Sequence, residues 1–177
     1  SRCLELERQA FALDPGPDAA KADHAGTLAL RGYTLRELGR PGEGLRDYEE
    51  SLAILETLHR GYPRNARYEW ELALARLEAG RCLIALGRFP EAALRLAAAE
   101  ARFRELHRFD ESSAAGARSL SVTLAYLALA RSCSGGDASA VEPLAYEARR
   151  LIDAYVRQDP SNRNAANQRE DVKATAD

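Results

Sequence analysis

Three unrelated kinds of residue recur along this chain at one spacing, and that regularity limits what it can fold into. Pro15 and Pro63 lie 48 residues apart, and Pro160 follows Pro63 by 97, close to twice that interval. Leu38-Gly39-Arg40 returns 48 residues later as Leu86-Gly87-Arg88, and Gly136 lies 49 beyond Gly87. Leu58-His59-Arg60 returns as Leu106-His107-Arg108 at the same 48. A fixed period of this length marks a chain built by stacking one supersecondary unit on the next.

Each period divides into two helices. Residues 18–38 read as a first helix closed by Gly39, since glycine just past the last apolar residue enters the left-handed region at little cost. Residues 43–60 form its partner, with Leu45, Tyr48, Leu52, Leu55 and Leu58 spaced three to four apart on one face. The second pair is 65–86 and 90–108, and the third is 113–133 and 138–158, with Pro143 placed in the first turns of the last helix. Residues 2–13 read as the end of a preceding repeat, and the polar stretch 162–175 as a capping helix or the start of a following one. The units are then 18–60, 64–108 and 112–158 within a single domain. Short turns fold each pair into an antiparallel hairpin, and one hairpin cannot bury both faces. The expected fold is therefore all-α: an α-solenoid of stacked helical hairpins with a period of about 48 residues.

Composition agrees. Hydrophobic residues make up 46% of the 177, enough for a core, while aromatics are only 7%. The apolar content is mostly Ala and Leu, which favour helix over strand. The net charge is -2, and both halves are near neutral, so no basic excess points to nucleic acid. No apolar run approaches the roughly 20 residues that span a bilayer. Cys3, Cys82 and Cys133 are far apart and form no C-x-x-C pair, which reads as reduced thiols in a cytoplasmic protein. A chain that opens at Ser1 inside a periodic segment reads as part of a longer protein.

At this point the residues resemble the tetratricopeptide repeat, TPR. The best match is Gly80, then Gly87-Arg88-Phe89-Pro90-Glu91-Ala92, Leu96 and Ala99, and the first pair supplies Gly32, Gly39, Gly44, Tyr48 and Ser51. Leu35 and Leu83 stand at the family's aromatic position, Arg76 at its Trp, and the third pair lacks the crossing glycine. The period exceeds the ordinary repeat of about 34 residues. Long-helix variants of this kind look like those of large bacterial signalling proteins, where they follow kinase, cyclase or protease-like effector domains. The Pro63-Arg64-Asn65 and Asp159-Pro160-Ser161-Asn162 segments resemble the linkers of that group, and the excess of Arg over Lys suits a GC-rich bacterial source.

Catalytic signatures are missing from the sequence: there is no H-E-x-x-H, no P-loop and no G-x-G-x-x-G. His24, His59 and His107 are far apart, and the last two, repeat-equivalent at helix ends, suit interaction with a helix C-terminus. Cys82 falls at a packing position with no His placed to activate it. The expectation is no enzyme, no metal and no cofactor. The resemblance implies instead a concave groove lined by the first helices. It assigns Ala29, Tyr33 and Arg36 to that wall, with Leu74, Leu77, Arg81 and Ile84 from the second pair, and Thr123 and Tyr126 from the third. Such a wall suits an extended peptide or helix that carries an acidic group beside an apolar anchor; the alternative is that Arg36 and Arg81 merely pair with Glu37 and Glu78 on a solvated face. Ala29 and Leu74 occupy two positions that the family's carboxylate clamp needs, so that clamp is not expected. The function expected is protein–protein interaction or scaffolding, with a protein or peptide partner or an attached effector domain. Self-association into a homo-oligomer and sensing of a peptide or small ligand in the groove are the alternatives.

Overall fold

Why the marker glycines recur is visible in the backbone. In the computed structural model, which describes residues 16–158 and 163–176, Gly39, Gly87 and Gly135 have φ of 73°, 71° and 79°. Each closes a helix with the same two bonds. The glycine N–H donates to a carbonyl three residues back (Arg36, Ile84, Ser132), and the next N–H to one five back (Leu35, Leu83, Arg131). These closures satisfy carbonyls that the helix end would otherwise leave unpaired. The third marker is thus Gly135, at the strict period of 48, while Gly136 is one additional residue in the turn. That insertion also accounts for the odd residue in the interval between Pro63 and Pro160.

Seven helices result among the described residues: α1 Gly16–Glu37, α2 Pro41–Gly61, α3 Ala66–Ala85, α4 Phe89–Phe109, α5 Ala114–Cys133, α6 Ala138–Gln158 and α7 Arg163–Ala176. Their starts use repeating devices. Asn65 caps α3 by accepting from the Arg67 and Tyr68 N–H groups, and Ser113, 48 residues on, caps α5 by accepting from Gly116. α2 and α4 lack a side-chain cap. They open with a proline in the first turn and a two-pronged pair, Arg40 to Glu43 and Arg88 to Glu91, at 2.6–2.7 Å. Pro143 lies inside α6, in the second turn of a helix that starts at Ala138. The segment 2–13 lies outside the described residues, and the polar helix expected near the C-terminus is α7.

Each helix packs against its successor, and α1 also touches α3, α3 touches α5, and α5 touches α7. Two pairs of helices cross at glycine. A Cβ on Gly32 would stand 2.9 Å from the Tyr48 ring, and one on Gly44 only 2.7 Å from the Gly32 carbonyl oxygen. On Gly80 it would stand 2.6 Å from Leu96 Cγ. α5 and α6 also pack together, and α5 carries the buried Ala128 where the preceding period has Gly80. Hydroxyls tie two of these crossings: Ser51 Oγ donates to the Ala25 carbonyl at 2.9 Å, and Ser121 Oγ to that of Ala148 at 2.8 Å. Around these contacts Cys82, Leu96, Phe103, Leu124 and Ile152 form a continuous core. Trp70 meets Phe103 edge-on at 5.2 Å, so it packs within its own helix pair. Burial pushes the Cys82 thiol up to about 11, which leaves it protonated and unreactive near neutral pH.

Ion pairs bind the layers at their edges. Arg31 grips the buried Asp47 carboxylate with two bonds of 2.6 Å, Arg104 bridges α4 to Glu147 on α6, and Arg102 pairs with Glu69.

Two predictions follow from this packing. Gly80→Ala should lower stability by about 1–3 kcal/mol, because Leu96 has to move. Gly26→Ala, whose Cβ meets nothing within 4 Å, should raise it by about 0.5–1 kcal/mol through helix propensity. Urea midpoints measure both, and equal shifts for the two would refute the assigned crossing. The second concerns acid. The hydrogen bond from Arg31 holds the Asp47 carboxyl below its ordinary 3.8. Its contribution is therefore complete above that value and is lost as pH falls through the lower folded value. The stability gap between wild type and Asp47→Asn should shrink as pH drops below about 4; a gap that stays constant into strong acid would contradict it.

Candidate interaction cleft

Helical spacing brings three short rows of side chains around one opening. α1 contributes Gly26, Ala29, Leu30 and Tyr33, and α3 contributes Glu71, Leu74 and Glu78 from positions that share a face. The floor is Tyr48, Ser51 and Leu55 of α2. Together they enclose an open cleft of about 370 Å³. Its rim holds unusually exposed apolar groups, with Leu30 68%, Tyr33 47% and Leu74 39% accessible. Its charged lining consists of the carboxylates of Glu71 and Glu78.

The nine residues expected on the groove wall separate into three sets. Ala29, Tyr33 and Leu74 line the cleft. Leu77, at 3% exposure, and the fully buried Thr123 are unavailable to a partner, and Ile84 is half-buried against the core. The third set is a ladder of charge. Arg36 Nη1 lies 2.8 Å from Glu37 and its Nη2 3.2 Å from Glu78, while Arg81 Nη1 donates to Glu78 Oε1 at 2.8 Å. The Arg36 guanidinium stands 5.3 Å from the Tyr33 ring centroid, and that of Arg81 4.9 Å from the Tyr126 centroid. Burial opposes the charge on Arg81, but Glu78 and Tyr126 outweigh it and raise its pKa. The ladder joins α1, α3 and α5 across the face they share.

On the sequence alone the two guanidiniums offer either a positive field for an acidic partner or simple pairing with Glu37 and Glu78 on a solvated face. In the structure they are largely buried and neutralised by Glu37 and Glu78. Gly26, Leu30 and Glu71, which the cleft uses, are not among the expected wall residues, and Glu78 figures there only as a partner of the arginines. The available signal was the row 26, 30, 33 on α1 and the row 71, 74, 78 on α3, which share Tyr33 and Leu74 with the wall assigned by family resemblance.

The histidines do not converge. His59 and His107 sit in the last turns of α2 and α4. Among the described residues no cluster of three or more His, Cys, Asp or Glu side chains is arranged for a metal ion, and no helix is long and apolar enough to cross a membrane.

Arg81→Glu should therefore act first on stability. It removes the guanidinium facing Glu78 and adds a second carboxylate, at a cost of about 3 kcal/mol. Arg88→Glu, at the exposed pair with Glu91, should cost under about 1 kcal/mol. Thermal melts of the two variants provide the check, and matching losses would show that the ladder adds no more than a surface pair.

Comparison with known proteins finds no matching family model, no matching curated protein and no matching solved structure.

Proposed function

We propose that this chain is a TPR-like α-solenoid whose role is protein–protein interaction, serving as the regulatory or scaffolding region of a larger bacterial signalling protein in the cytoplasm. The observation that carries this reading is the cleft between α1 and α3. An apolar opening rimmed by Leu30, Tyr33 and Leu74 exposes surface that is costly to leave in water, and its volume of about 370 Å³ leaves room for side chains of a peptide or helix. The repetition of turn closures, caps and glycine crossings at one period supports the solenoid reading. The partner assigned is an apolar segment rather than an acidic one, since Arg36 and Arg81 already have carboxylate partners.

A photo-crosslinking amino acid placed at Tyr33, in cells of the source organism, tests this directly. The expected result is one dominant adduct that disappears when Gly26→Leu partly fills the cleft. Adducts no stronger than those from the exposed position Glu49 would reject the cleft as the working surface. An adduct of twice the chain's mass would identify self-association instead.

A further inference from the structure

The repeat itself shows what the cleft is shaped to receive. One period after Gly26, Ala29 and Leu55 stand Leu74, Leu77 and Phe103. Leu77 and Phe103 are fully packed into the core, so the second pair fills with its own side chains the volume that the first pair leaves open. A Cβ on Gly26 meets no atom within 4 Å, which marks the cleft wall at that point as open space. The missing groups are of leucine or phenylalanine type.

The two ends of the cleft differ in charge. At one end Glu78 faces two guanidiniums: its Oε1 accepts from Arg81 at 2.8 Å, and its Oε2, which has no hydrogen-bond partner, lies 3.2 Å from Arg36 Nη2. At the other, Glu71 Oε1 accepts from Arg67 Nε at 2.7 Å, while its buried Oε2 has no hydrogen-bond partner. The same Arg67 also serves Asp23, at 3.7 Å, so one largely exposed guanidinium is shared by two carboxylates. An excess of negative charge therefore stands beside an apolar opening.

Resting on the interaction reading above, we infer that the cleft between α1 and α3 binds a peptide segment that inserts a leucine- or phenylalanine-like side chain and directs a neighbouring Lys or Arg toward Glu71 and Asp23. The apolar side chain takes the volume that Leu77 and Phe103 fill one period on. The cation pairs with the carboxylates that Arg67 leaves under-neutralised, and this sets the direction of the segment along the groove. A bound acidic segment would face like charge at that end.

The test is selection of a random 12-residue peptide display library on the immobilised 177-residue chain, with counter-selection on Gly26→Leu. The expected clones need the open cleft and carry Lys or Arg within about four residues of a Leu, Ile or Phe, one helical turn. A synthetic peptide from the winning pattern should lose at least tenfold in affinity against Glu71→Gln by fluorescence anisotropy, and weaken further as salt is raised. Cleft-dependent clones with acidic or unbiased charge would overturn this assignment and leave the interaction reading standing. Clones that bind Gly26→Leu as well as wild type would overturn both. Binding gained only after deletion of residues 1–13 would make the chain's own N-terminal segment the occupant, and a concentration-dependent dimer lost in Gly26→Leu would make it a second copy; either result displaces the foreign peptide.

Discussion

The close approach of paired helices at Gly32 and Gly80 is the contact on which the rest of the packing depends. Where a Cβ would fall within 3 Å of a neighbouring side chain, the helices come nearer than any larger residue permits. That proximity seats Tyr48 and Leu96 directly against the opposing helix and lets Ser51 Oγ reach the Ala25 carbonyl. The close contact compensates for what glycine costs a helix interior in backbone entropy. It also sets the angle at which each pair meets the next, because the partner residues Tyr48 and Leu96 belong to the shared core.

How much of this was readable from the chain depends on the range of the forces involved. Helix bounds are local: glycine closures, Asn65 and Ser113 caps and leucine spacing place six helices within about two residues of where the structure has them. The crossing glycines were also legible, because the same residue recurred at one period. The cleft was less so. Tyr33 and Leu74 could be assigned by helical position, but a void is defined by what is absent, and Gly26 looks like any helix glycine until its surroundings are known. Arg36 and Arg81 show the same limit for charge. Their partners Glu37 and Glu78 are near in sequence, yet whether such pairs lie in water or within the structure depends on how α1, α3 and α5 come together.

A division of labour among the pairs emerges. The first pair is small-residued and open, with Gly26, Ala29 and Ser51 around the cleft. The second is the packed centre, where Trp70, Leu77, Leu96 and Phe103 gather. The charge ladder runs between them, so a ligand that displaces Tyr33 also disturbs its stacking on Arg36 and the Arg36 contact with Glu78. Occupancy at the first pair is thereby coupled to the interface between first helices through contacts that are already in place.

The additional residue in the Gly135-Gly136 turn has a consequence for how such a chain tolerates length change. Inserted inside a helix, one residue would rotate every downstream side chain by about 100°, turning the buried face of α6 away from α5. Inserted between Gly135 and the start of α6, it leaves both faces in phase: Ala148 and Ile152 are as buried as Ala99 and Phe103, their counterparts 49 residues earlier. The turn therefore works as a phase buffer. Additions there change the count of residues per repeat without changing which residues meet, so a loop could be grafted at that edge while the register of the stack is preserved.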